Sequence, residues 1–339
     1  MTINGLLREG ILKIASLPPE NWRDIDIEDV TSLTVPLIAE DYPAKTALMW
    51  NAAYAKFTMP DRNSMMVADP KHIVRIMQVF RSDERYRGGG AGIGFKETVI
   101  PFLDDITPLA KAMGAVNIIK KMPDGGLAGD NTDGTGYVQS LEKEFALLGR
   151  ELKGAQVLIL GAGGSGRAIS FALAQKGARL IILNRTEKKA EELAEALNTY
   201  EGSAIATGGG RVFIPEVLPS QDAVISVVDD VQSPLDEYSA LGNMEFPVTP
   251  DSIRENLDRT VMLLRRTKPN LIVSDIRIRK METPMLAEAR RQGKPVLDGI
   301  PMVVNQGVAA FWWLYQKELV GRSIARADVE DVMRRAVGM

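Results

Sequence analysis

Cysteine is absent from the 339 residues, and His72 is the only histidine. Without cysteine there is no disulfide, no thiolate-held zinc or iron–sulfur cluster, and no thiol nucleophile. A single histidine, in the polar context ADPKHIVRI, excludes a two-histidine zinc site and reads as a surface side chain near a helix start. No metal site is expected. Proton transfer, if there is any, falls to Lys, Asp, Glu or Tyr. An excess of positive charge is missing too: 41 basic against 44 acidic side chains give a net charge of −3. That argues against a nucleic-acid partner, whose phosphates call for clustered positive charge. No run approaches the ~20 apolar residues that span a bilayer, so no membrane association is expected. The opening MTINGLLREGILK lacks the long apolar core of a signal peptide, and a cytoplasmic protein is the expectation.

What is present is the composition of a globular protein, 45% hydrophobic and 25% charged, in a chain long enough for two domains. The clearest unit lies in the middle. The apolar run Gln156–Leu160 ends in Gly161-Ala-Gly-Gly-Ser-Gly166, a helical pattern follows over 167–176, Gly177 stops it, and a second apolar run covers 179–183. Strand, glycine-rich turn, helix and strand make a βαβ unit. Helical spacing of Ala190, Leu193, Ala194 and Leu197 and later apolar runs at 223–228 and 271–273 extend it into a doubly wound parallel sheet. Upstream, strand candidates at 34–39, 64–67 and 116–120 alternate with helical stretches at 46–56 and 70–80, and a helix over 134–148 reads as the connector. The aromatic stretch Val308–Leu314, in a helical tail, reads as core.

Gly161, Gly163 and Gly166 form GxGxxG in the context that gives it meaning, after a strand and opening a helix. Gly164 and Ser165 complete the turn. Such a turn lets backbone N–H groups approach a pyrophosphate at the positive end of the helix dipole. The second strand ends in Asn184-Arg185-Thr186 with Lys188 and Lys189 beyond, and carries no acid to accept hydrogen bonds from a ribose. Arg185 suits a 2′-phosphate and can stack on adenine, and Thr186 suits both that phosphate and the cap of the next helix. NADP is the expected cofactor. The Tyr-x-x-x-Lys pairing of short-chain dehydrogenases is missing at each of the seven tyrosines.

From about residue 34 to 325 the chain resembles the shikimate dehydrogenase family, in particular its shikimate/quinate dehydrogenase-like branch. The blocks that carry the resemblance are Phe95–Pro101 (FKETVIP), Gly114–Asn117 (GAVN), Gly129–Gly134 (GDNTDG), the glycine turn with Asn184–Thr186, and Glu282–Leu286 (ETPML) with Asp298-Gly299 and Asn305-Gln-Gly307. The resemblance implies that Lys96 and Asp133 flank the hydroxyl to be oxidised. Asn117 and Gln306 then bind substrate hydroxyls, and Met302 lies near the nicotinamide. It also exposes departures. The family's Ser-x-Ser for the substrate carboxylate is matched by Ala44-Lys45-Thr46, which leaves Thr46 as the one hydroxyl. Its Asn-Val-Thr-x-Pro is matched by Gly90-Ala-Gly92-Ile-Gly94, and a tyrosine by Ile278 between Arg277 and Arg279. Its Asn-Ala-Thr is matched by Ser226-Val-Val-Asp-Asp230, with an insertion after it.

The implied architecture is α/β, with a substrate-binding domain over 1–145, a Rossmann-type NADP domain over 146–304, and C-terminal helices over 305–339 that return to the substrate domain, with a cleft between the domains. An extra helix is expected within the first 33 residues. The implied function is NADP-dependent interconversion of a secondary alcohol and a ketone on a small polar, shikimate-like ring, by a monomer or homodimer. Two alternatives stand beside it: the same fold and cofactor with a substrate lacking the shikimate carboxylate contacts, and a non-catalytic dinucleotide-binding regulator.

Overall fold

The structure, a computed structural model, describes residues 2–15, 27, 29–41, 45–228, 232–236, 241, 247–278 and 281–339. Ala44, Asp229, Asp230 and Arg279, singled out above, lie outside the described residues. The chain forms two compact units, one of residues 1–132 with 303–339 and the other of residues 133–302. The helix read as a connector, Asp133–Leu147, falls wholly in the second unit.

The first unit opens with a short helix, Ile3–Arg8, and strand β1, Leu12–Ile14. The strands that follow are β2 (Leu33–Thr34), β3 (Leu37–Ile38), β4 (Arg62–Asn63), β5 (Met66–Ala68), β6 (Tyr86–Gly90), β7 (Asp105–Ile106), β8 (Ile118–Lys121) and β9 (Leu127–Asp130). They form a sheet of order β4-β2-β6-β8-β9-β7 and a smaller one of order β1-β5-β3. The apolar run 34–39 is therefore split. Pro36 has no N–H to give a ladder, and the chain changes sheets around it. Strand β6 was hidden from the sequence by its three glycines, and those glycines are what the packing requires. A β-carbon would stand 2.3 Å from the Ile119 oxygen at Gly88 and 2.2 Å from the Val35 oxygen at Gly89.

Helices Lys45–Lys56, Ile300–Gly321 and Arg326–Ala336 enclose the aromatic core of this unit. Trp50 meets Phe311 edge-on at 5.4 Å and Tyr54 meets Tyr315 edge-on at 5.7 Å, geometries that favour aromatic pairs. Phe311 of the 308–314 stretch is fully buried, as a core reading requires, while Trp312 and Trp313 pack half-buried around it.

In the second unit β10 (Gln156–Leu160), β11 (Arg179–Asn184), β12 (Ala206–Gly210), β13 (Ala223–Ser226), β14 (Ile272–Asp275) and β15 (Val296–Asp298) form a parallel sheet of order β12-β11-β10-β13-β14-β15. Strand order reverses between β10 and β13, the crevice where doubly wound sheets bind ligands. Val157 to Leu160 are all buried, because helices cover both faces of a parallel sheet. The sequence did not disclose β12, another glycine-rich strand, nor β15. It also missed the helix Pro250–Arg265, which starts at a reciprocal cap between Thr249 and Ser252. No helix among the described residues is long and apolar enough to cross a membrane.

Candidate active site

In the first unit, Lys96 rides on a tight turn after β6. Phe95 and Val99, both fully buried, pin that turn to the core, and the Thr98 hydroxyl donates to the Gly94 and Phe95 carbonyls. The Lys96 carbonyl accepts from the Val116 N–H at 2.8 Å, which sets the lysine beside the GAVN block. The next residue, Asn117, holds the loop after β9. Its side-chain oxygen accepts from the Thr132 N–H at 2.9 Å and its amide donates to the Thr132 hydroxyl at 3.1 Å. The Thr132 hydroxyl also donates to the Gln306 carbonyl at 3.2 Å. Lys96, Asn117 and Gln306, far apart in sequence, are thus linked through Val116 and Thr132. Thr132 lay inside a quoted block, yet its linking role depends on tertiary contacts and had no sequence signal.

The helix that carries Gln306 is itself anchored. The Trp50 indole donates to the Gly307 carbonyl at 3.2 Å, and a β-carbon on Gly307 would stand 2.8 Å from the Met49 methyl. Gln306 Oε1 is buried and has no hydrogen-bond partner. A buried acceptor left unsatisfied is costly, and it calls for an explanation. Thr46 is half-buried in the first turn of helix Lys45–Lys56.

The second unit holds the glycine turn. Gly161 has φ +115°, and its N–H donates to the Leu183 carbonyl at 2.8 Å. A β-carbon on Gly166 would stand 2.3 Å from the Gly161 oxygen, whereas at Gly163 and Gly164 it would meet open space. So Gly166 serves close packing, and Gly163 and Gly164 leave the mouth of the turn clear. Helix Gly164–Gln175 begins without any side-chain cap. Its first N–H groups, Ser165 among them, are the donors an anion would use. The residues present therefore fit a dinucleotide pyrophosphate.

Asn184 ties this turn to the tip of β11. Its side-chain oxygen accepts from the Ala162 N–H at 3.3 Å and its amide donates to the Thr186 carbonyl at 2.9 Å. Arg185, Thr186 and Lys189 are exposed beyond that tip. Thr186 occupies the N-cap of helix Glu187–Glu201, but its side chain makes no cap hydrogen bond, contrary to the capping role expected of it. The hydroxyl stays available for another partner, since Lys189 N–H already takes the Thr186 carbonyl.

Asp133 is buried at the start of its helix. One turn on, burial holds the Tyr137 hydroxyl well above the usual phenol range, so that tyrosine stays protonated at neutral pH. Met302 is buried. Ile278, matched to a family tyrosine only by the resemblance above, is exposed, and next to it Arg277 forms a buried ion pair with Asp275 that the sequence did not reveal. Among the described residues no group of acids and histidines is arranged to hold a metal.

Two family models match the chain, the shikimate dehydrogenase substrate binding domain over residues 42–119 and shikimate / quinate 5-dehydrogenase over residues 142–234. A shikimate dehydrogenase (NADP(+)) of Geobacillus kaustophilus is 34% identical over 265 residues, which cover 78% of this chain and 85% of that one. Among solved structures, the shikimate dehydrogenase of Aquifex aeolicus superimposes with a TM-score of 0.69 at 25% identity, covering 93% of this chain and all of that one. A 5-ketofructose reductase of a Gluconobacter strain superimposes with a TM-score of 0.67 at 25% identity, covering 90% of this chain and 98% of that one. With both family models matched and a relative 34% identical over most of both chains, the chain belongs to the shikimate dehydrogenase family.

Proposed function

We propose that this protein is an NADP-dependent dehydrogenase that interconverts a secondary alcohol and a ketone on a small polar ring of the shikimate type. The relatives are named as NADP(+) enzymes of that activity. The observation that carries the reading is the Asn184 bridge, because it ties the tip of β11, which bears Arg185, to a glycine turn open to a pyrophosphate. Residues 1–132 and 303–339 serve as the substrate unit and residues 133–302 as the cofactor unit. The assignment of a cytoplasmic monomer or homodimer belongs to the same reading.

Bound NADP+ would supply the hydride acceptor for the carbinol carbon of the substrate. The hydroxyl proton must leave at the same time, and Lys96 Nζ is the group assigned to take it. Asp133 orients the lysine and accepts a hydrogen bond from the substrate. Gln306 Oε1, buried and unpartnered, receives a substrate hydroxyl. Asn117 holds the Thr132 loop beside Gln306 and is assigned a second substrate hydroxyl. Gly161, Gly163, Gly164, Ser165 and Gly166 hold the pyrophosphate, Arg185, Thr186 and Lys189 take the 2′-phosphate, and Met302 packs by the nicotinamide. Thr46 supplies what remains of the family's carboxylate site, so the ring's carboxylate is held less fully than in relatives with both hydroxyls.

The test is a panel of cyclic polyols including shikimate and quinate, with 5-ketofructose in the reductive direction, assayed with NADP(H) and NAD(H) by the absorbance of reduced nicotinamide. Turnover of a shikimate-type ring with NADP(H) preferred supports the reading. Dinucleotide binding with no turnover across the panel would favour the non-catalytic alternative.

A further inference from the structure

Arg277 follows β14 directly and is 93% buried at its side chain, which is 7% exposed, against an Asp275 side chain of 0% exposure. Its Nε donates to both Asp275 oxygens, at 2.9 and 3.1 Å, and its own backbone N–H donates to Asp275 Oδ1 at 3.1 Å. The pair is therefore satisfied along one edge of the guanidinium. Nη1, on the other edge, is buried and has no partner. On the neighbouring strand, Ser226 closes β13 in register with Asp275, and its Oγ is likewise buried without a partner. Two adjacent strand ends thus hold two unused hydrogen-bonding groups. A buried cation is tolerated only when its donors are met, so the chain alone does not account for this arrangement.

The sheet order says what lies there. The glycine turn follows β10, and Asn184 and Arg185 on the β11 side take the adenosine half of a dinucleotide. The other half must extend over β13 and β14, the latter two strand spacings or about 10 Å from β10. The reactive end of that half bears a carboxamide, which offers an acceptor oxygen and donor N–H groups side by side. A guanidinium N–H matches the first and a serine oxygen matches the second.

We infer that Arg277 and Ser226 form the subsite that reads the nicotinamide carboxamide, with the oxygen accepting from Arg277 and the amide donating to Ser226 Oγ. The inference rests on the NADP reading above. It gives a role to Ser226, where the chain departs from its family, and to Arg277 beside Ile278, and makes Asp275 the positioning residue that holds the guanidinium edge-on.

The test compares two ligands by calorimetry: NADP+, and 2′-phospho-ADP-ribose, which lacks the nicotinamide ring. The proteins are the wild type, Arg277→Met, and Asp275→Asn/Arg277→Met, the last because the single change strands a buried carboxylate. NADP+ affinity should fall about tenfold or more, the loss expected for a hydrogen bond from a charged group, while 2′-phospho-ADP-ribose stays within about twofold. Ser226→Ala should shift NADP+ in the same direction by less. Equal losses for both ligands, or none for either, would overturn the inference. So would unchanged NADP+ affinity with a raised KM for the ring substrate, which would assign Arg277 to the substrate's carboxylate. A wild type that bound neither ligand would instead overturn the NADP reading itself.

Discussion

The Ala168 carbonyl oxygen lies 2.1 Å from where a β-carbon on Gly134 would stand, and the Ala172 methyl 2.9 Å from it. Gly134 follows Asp133, and Ala168 lies on the helix that opens at the glycine turn. The aspartate assigned to the reaction is therefore mounted against the helix assigned to the pyrophosphate, with backbone in contact where any other side chain would intrude.

Gly134→Ala should accordingly destabilise the second unit. The overpacking cost of about 1–3 kcal/mol exceeds the gain of up to about 1 kcal/mol from replacing glycine within a helix. Thermal unfolding should show a lower midpoint, and kcat should fall with it. A raised midpoint would mean that the two helices tolerate separation.

The glycine turn and the Rossmann sheet around it were legible because each rests on local pattern: apolar runs marked β10, β11, β13 and β14. Lys96, Asp133, Asn117 and Gln306 carry no such pattern, and their assignment came from the family resemblance alone. Strands β6 and β12 were not legible, since their glycines carry no apolar signal, and Gly88, Gly89 and Gly208 make sense only against the backbone they admit. The Thr186 cap was misread because an N-cap residue type does not guarantee the bond. Thr132, Trp50 and the Asp275–Arg277 pair act through partners distant in sequence or through a turn that no periodicity announces.

Arg185 should decide between the two cofactors. Arg185→Ala is expected to weaken NADP(H) by about 1.5–3 kcal/mol, the value of a charge-assisted hydrogen bond, and to leave NAD(H) close to wild type. Dissociation constants for both, measured by quenching of protein fluorescence, check this. Equal losses would mean that Arg185 does not face the 2′-phosphate.

Gln306→Leu keeps the volume of the side chain and removes the buried acceptor. With no protein partner lost, the melting point should hold or rise, while KM for the ring substrate rises by about tenfold or more. A drop in stability with KM unchanged would make Gln306 a structural residue.

Acid should destabilise both units. Burial pushes the Asp83 carboxyl up, but hydrogen bonds from the Arg85 side chain and from the Ile3 and Arg85 N–H groups outweigh it and leave the value lowered. Burial likewise opposes Asp222, where Lys268, the Gln156 N–H and Arg150 prevail. An unfolded Asp titrates near about 3.9. With both native values below that, their contribution is fully present above about pH 5 and is lost as pH falls through the lowered native values. Denaturant titrations should show stability declining below about pH 4. Asp83→Asn should lower stability at neutral pH and flatten the acid decline; an unchanged acid limb would assign it to other groups.

Lys96→Met tests the central claim most directly, because it keeps the length of the side chain and removes the group assigned to the proton. Phe95 and Val99 still pin the turn, so the fold and the NADP+ dissociation constant should match wild type. Turnover of the ring substrate at saturating NADP+ should drop by roughly 10²–10⁴-fold, the range for a lost general acid–base group. Wild-type turnover by the Met variant would contradict the account, since the hydroxyl proton would then leave by a route that does not include Lys96.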